Sequence, residues 1–338
     1  MEAINADVRA QLKRRFEQLF PEQAKRLQAI SDNMRQATAT EKADYEAELD
    51  RIRADLFDII GRKYGKALGK NDDDGLAIQL RPEKYGEFVN ARGSDIETKM
   101  LLLLDSLSRL QDVDKSNTDA VVATIIYGGL SAVTASEIAY ITKLVTDSAM
   151  ELLPAAFATV EFCTTSTIVT AVCVVVVMLI IPLIYFVEKP AVCIALVINE
   201  LRQDLVFTED YCVHGKCVTT TSRIPKITKL ASGDTLYSAG LFASQKKDSA
   251  LIGTQYGFTL KQQDIDKVKF SFGMGCPLAQ GKNNCAVGFD QTAKNIAEDA
   301  NRYQKQSDSQ VKDEYELAIN CNSASGSVAY YVVRVRYH

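Results

Sequence analysis

The chain has 338 residues, 24 % of them charged, and a formal net charge of −4. That balance excludes a polybasic nucleic-acid binder and a disordered acidic tail, and the length allows two domains with separate cores. Two histidines, His214 and His338, leave almost no base for a Ser-His-Asp or Cys-His site. Neither a P-loop nor a dinucleotide fingerprint occurs between a strand and a helix, so no enzyme and no cofactor are expected.

The first third reads as helix. Leu12, Phe16, Leu19, Leu27, Ile30 and Met34 form one apolar stripe over residues 3–37, with Pro21 predicting a break near Phe20. Tyr45, Leu49, Ile52, Leu56 and Ile59 repeat the pattern over 41–68. A third helix is predicted from a capping box, Ser94 with Glu97, through Met100, Leu103, Leu107 and Leu110. Three such stripes predict elongated helices packed side by side. The N-terminus, MEAINADVRAQLKRRFEQ, is amphipathic and charged with no short apolar core. We therefore expect synthesis in the cytosol without a signal peptide, then release in soluble form to act at a target cell membrane.

Composition changes at Asp119. Residues 120–150 are apolar nearly all round, broken by Gly128-Gly129, and Pro154 separates them from a second apolar stretch, 155–187. No charge lies between Glu161 and Glu188. The core of this stretch, IVTAVCVVVVMLIIPLIYFV, is long enough as a helix to cross roughly 30 Å of hydrocarbon. Its Val, Ile, Leu and Phe residues favour lipid by a total on the order of 5 kcal/mol. The expected membrane-inserting residues are Ile168, Val172, Val174, Val175, Val176, Val177, Leu179, Ile180, Ile181, Leu183, Ile184 and Phe186. The run of four valines leaves an extended state open as well. Together, 120–187 make a candidate hydrophobic hairpin with four acidic residues and one basic residue, a balance that eases insertion at low pH.

After Glu188-Lys189-Pro190 the period becomes that of strands. AVCIALVIN (191–199) is an apolar strand, short runs follow at Val206-Phe207 and Cys217–Thr221, and SVAYYVVRVRY (327–337) is the last strand. Turn signals recur at His214-Gly215, Ser232-Gly233-Asp234, Gly257, Gly273 and 281–284, as in a sandwich or barrel. Residues 291–309 read as a short helix or an exposed loop. Tyr237, Tyr256, Tyr330 and Tyr331 are candidate lipid-contacting residues, because a tyrosine ring attracts cations while its hydroxyl stays wet. CVHGKC (212–217) is the one metal-like cluster, read first as a turn with incidental thiols, so no metal is assigned. Cys276 and Cys285 have the spacing of a loop-closing disulfide in an exported chain.

The segment from Val197 to His338, with VINELRQDLVF, YCVHGK, SQKKDSALIGTQYGFTL, FSFGMGCPL, NNC and CNSASGSVAYYVVRV, resembles the tail domain of fungal cytolysin-like proteins. In outline it is similar to aegerolysin- and actinoporin-type β-sandwiches. The helical half resembles α-pore-forming toxins in pattern, although here the chain enters a β domain after its hydrophobic element. The resemblance implies lipid binding and a pore built from several copies. The expectation is therefore α+β: a helical bundle with a hydrophobic hairpin (1–190), then a β-sandwich for membrane or partner recognition (191–338). The expected function is a pore-forming toxin that inserts into a lipid membrane as a homo-oligomer, with a second protein component left open and no nucleic-acid partner. The alternatives are a constitutive single-pass protein spanning 168–187 and a soluble lipid- or carbohydrate-binding defence protein.

Overall fold

The computed structural model describes residues 2–34, parts of 38–59, 78–108, 126–127 and 191–338, the last without 220, 222, 230–232, 247–252, 266–267 and 279–280. These residues form a mixed α+β structure. Helix α1 (Glu2–Leu19) gives way at Phe20 to α2 (Pro21–Met34), the break that Pro21 predicts. Described residues between 40 and 59 are helical. Two further helices, α3 (Pro82–Asn90) and α4 (Ser94–Ser108), complete this layer. Leu12, Phe16, Leu27, Ile30, Leu49, Ile52 and Leu56 are all buried, so the apolar stripes are inward faces. The Glu97 carboxylate, expected to complete a capping box with Ser94, meets Arg9 of α1 and accepts from Asn322 Nδ2 at 3.4 Å.

Two sheets follow. The larger has the order β12-β13-β14-β3-β8-β1-β2, built from β1 (Ile78–Leu80), β2 (Ile126–Tyr127), β3 (Val192–Asn199), β8 (Thr235–Gln245), β12 (Ser307–Lys312), β13 (Tyr315–Cys321) and β14 (Val328–Tyr337). The short strands β5 (Lys216–Thr219) and β7 (Thr228–Lys229) also pair with β8. The smaller sheet runs β11-β10-β9-β4-β6, from β11 (Asn284–Phe289), β10 (Lys269–Cys276), β9 (Thr254–Gln262), β4 (Leu205–His214) and β6 (Arg223–Ile224). Residues 120–150 were expected to be helical, yet Ile126 and Tyr127 form β2, parallel to β1. A β-branched residue and an aromatic before Gly128-Gly129 suit an edge strand better than a helix. The rest of 120–187 lies outside the described residues.

Strand β3 explains the layering. It lies between β14, parallel, and β8, antiparallel, and every one of its residues is buried. Cys193, Ala195 and Val197 face a core shared with Phe258, Phe270, Phe272 and Met274 of the smaller sheet. Val192, Ile194, Leu196 and Ile198 face the opposite way, into a core shared with Leu12, Phe16, Ile52 and Leu103 of the helices. An apolar run without alternation is what burial on both faces requires. The division expected at residue 190 is thus crossed by one core, and by β1 and β2, which add to the β8 side of the larger sheet.

A last helix, α5 (Ala293–Tyr303), covers the outer face of the smaller sheet with Ala293, Ile296, Ala297 and Ala300. Thr292 caps it through Asn295 N, and Gln304 ends it in the left-handed region. Beneath it, Gly257 and Gly273 stand opposite each other in β9 and β10. A Cβ at Gly257 would sit 2.0 Å from Ala293 O, and one at Gly273 2.1 Å from Ile296 O. Only glycine lets the helix backbone lie this close.

Candidate functional site

The inserting residues named above, Ile168 to Phe186, lie outside the described residues. Among the described residues, no helix is long and apolar enough to cross a membrane, a statement that leaves strand-built spans aside.

The four candidate tyrosines separate by burial. Tyr256, Tyr330 and Tyr331 have no exposed surface. Tyr331 donates to Gly275 O at 2.9 Å and Asn284 O at 3.2 Å, joining β14 to β10 and β11 of the smaller sheet. Tyr256 donates to Asp210 Oδ2 at 3.1 Å, and the Cys217 thiol lies 3.8 Å from its oxygen. Burial holds both phenols well above their usual pKa. The expectation of lipid contact is corrected for these three: alternation in β9 turns Tyr256 into the core, and β14, covered on both faces, buries Tyr330 and Tyr331 on opposite sides.

Tyr237, on β8, is half-buried and stacks on Tyr85 of α3 with ring centroids 3.7 Å apart. Arg334 of β14 donates to Tyr85 Oη at 3.2 Å and grips Glu200 through two bonds of 2.6 and 3.2 Å. Burial and the Glu200 carboxylate, with Arg334 opposing, push the Tyr85 phenol up to about 12. This polar joint fixes α3 to β8 and β14 of the larger sheet. Sequence reading missed it because Tyr85 lies in PEKYGEFVN, too short and too polar to show a helical period.

Large apolar side chains that are exposed include Tyr211 on β4 and Tyr303 at the end of α5. Lys294 lies 6.0 Å from the Tyr211 ring centre, and Lys305 5.7 Å from that of Tyr303. Neither tyrosine stood out in the sequence, since exposure at a helix end or beside a bulge is set by tertiary contacts.

Gly215, at φ +110°, turns the chain from β4 into β5 and so from one sheet to the other. CVHGKC is therefore a corner between sheets, and no group of three or more His, Cys, Asp or Glu among the described residues is arranged to hold a metal ion. No disulfide joins the six described cysteines. Cys285 stands opposite Met274, which places Cys276 on the diagonal. Diagonal Cα atoms are about 7–8 Å apart, beyond the usual reach of a disulfide, so the loop closure that the Cys276–Cys285 spacing permits does not fit this register.

No protein-family model matches the sequence, and no curated protein matches it either. Solved structures do resemble the fold. The lipid-binding protein Nakanori is 13 % identical over 62 % of this chain and 91 % of its own, with a TM-score of 0.35. The Xerocomus chrysenteron lectin XCL is 11 % identical over 43 % of this chain and 99 % of its own, with a TM-score of 0.31. RahU, 13 % identical, covers 44 % and 95 % with a TM-score of 0.28. The structural neighbours thus include lipid-binding and lectin proteins.

Proposed function

We propose that the protein acts on membranes as a pore-forming cytolysin, stored soluble and inserting residues 120–187 into lipid as a homo-oligomer. In this reading the helices are a bundle that shelters the apolar segment, and the paired sheets are a sandwich that recognises membrane or neighbouring subunits. The observation that carries it is the uncharged run from Phe162 to Val187, which is long enough to cross a bilayer were it helical and would bring no charge into lipid. Supporting it, the helical layer already covers one apolar face of the larger sheet, so the architecture can keep extended apolar surface out of water.

Fractionation of the purified full chain tests this reading. It should stay in the supernatant without detergent and pellet with liposomes. A chain that needs detergent throughout is a constitutive membrane protein, and one that ignores liposomes is a soluble defence protein. Either outcome overturns the proposal.

A further inference from the structure

Four thiols gather at one end of the core between the sheets: Cys193 on β3, Cys276 on β10, Cys285 on β11 and Cys321 on β13. They surround the Tyr331 phenol, whose hydroxyl bonds to Gly275 O and Asn284 O, each next in sequence to one of these cysteines. The Cys193 Sγ lies 3.8 Å from the same hydroxyl. Two of the thiols are brought together across the sheets. Cys193 stands opposite Ala329 in the β3–β14 ladder. The Cys276 thiol donates to Gly326 O at 3.5 Å and lies beside the backbones of Val192 and Ala329, the sequence neighbour and the ladder partner of Cys193. Strands β10 and β3 approach each other across the core between the sheets. Two alternative pairings are worse placed: Cys285 is diagonal to Cys276, and β14 separates Cys193 from Cys321.

We propose that Cys193 and Cys276 are a redox-controlled pair that closes into a disulfide between the two sheets when the chain folds in oxidising surroundings. One thiolate attacks a low-molecular-weight disulfide of the glutathione type, forming a mixed disulfide and releasing one small thiol. The second cysteine then attacks the first cysteine's sulfur, closing the bridge and releasing the other small thiol. Two protein thiols are oxidised and one small disulfide is reduced. The timing follows from burial. Both thiols are covered by the folded protein, and burial pushes Cys276 up to about 12 and Cys193 well above its ordinary value. In the folded reduced chain they are therefore poor nucleophiles, and the decision is made as the sheets close. A bridge there pins β3 to β10, so its presence or absence sets whether the two sheets can part.

The test is peptide mapping of the full chain under non-reducing conditions after production in a reducing cytosol and in an oxidising periplasm. The periplasmic protein should carry a peptide joining Cys193 to Cys276 and melt at a higher temperature than the same sample after reduction. The folded cytosolic protein should keep both thiols through exposure to oxidised glutathione. A periplasmic protein with both cysteines reduced overturns the proposal, as does one whose bridge joins another pair. Rapid bridging of the folded cytosolic protein overturns its timing. None of these results depends on whether the protein permeabilises membranes.

Discussion

Tyr85 shows how one side chain ties the helical layer to the sheet. Its phenol is held near 12, while in the unfolded chain it titrates near 10. A raised folded value means the stabilisation is complete below about pH 10 and is lost as pH rises toward 12. Tyr85→Phe should therefore flatten the alkaline limb of a urea-stability profile over that window, removing up to one proton of dependence. An unchanged slope would mean that the phenol is solvated. The adjoining Arg334–Glu200 pair is largely buried on both sides. Arg334→Met leaves the Glu200 carboxylate without its partner and should cost on the order of 3 kcal/mol, read as a lower urea midpoint. Glu200 follows an apolar strand and Arg334 lies in another, but nothing in their spacing showed that they would meet across 134 positions.

At the scale of elements, periodicity was informative wherever one stripe or one face met a core. The break at Pro21, the start of a helix at Ser94, and the strands at 192–199 and 328–337 follow from local chemistry. What the sequence hid depends on distant pairing. β1 and β2 are too short to show a period, and Ile126-Tyr127 became a strand only because Gln79 and Leu80 lie alongside. The same holds for the tyrosines, whose burial is decided by which face of β9 and β14 is covered. Gly257 and Gly273 read as turn signals, yet they lie in mid-strand and form the seat of α5. Gly273→Ala would force its Cβ into Ile296 O and should cost about 1–3 kcal/mol, with faster amide exchange confined to α5 and its underlying strands. Exchange unchanged in α5 would show that the helix shifts without loss.

At the scale of the molecule, the larger sheet carries two cores, one on each face. A fragment of residues 191–338 keeps the core between the sheets but uncovers Val192, Ile194, Leu196, Ile198, Leu241 and Val332. That contiguous apolar face should make the fragment bind a hydrophobic dye and self-associate in water, as exposed patches of this kind do. A monodisperse fragment that does not bind the dye would restore residue 190 as a boundary between independent domains. The membrane reading makes a separate demand on Val176, which lies near the middle of the uncharged run. An arginine there costs about 2.5–3.5 kcal/mol at the centre of a bilayer. Val176→Arg should leave liposome binding intact and abolish leakage, while loss of both would place Val176 in the folded core.

The most direct measurement is release of a self-quenched dye from liposomes by the full-length chain, at neutral and mildly acid pH and over a broad lipid panel. A membrane-inserting cytolysin predicts dose-dependent release on at least one composition, faster at the lower pH as the carboxylates of 120–187 lose charge. Vesicles that stay sealed across the whole panel at both pH values would contradict it.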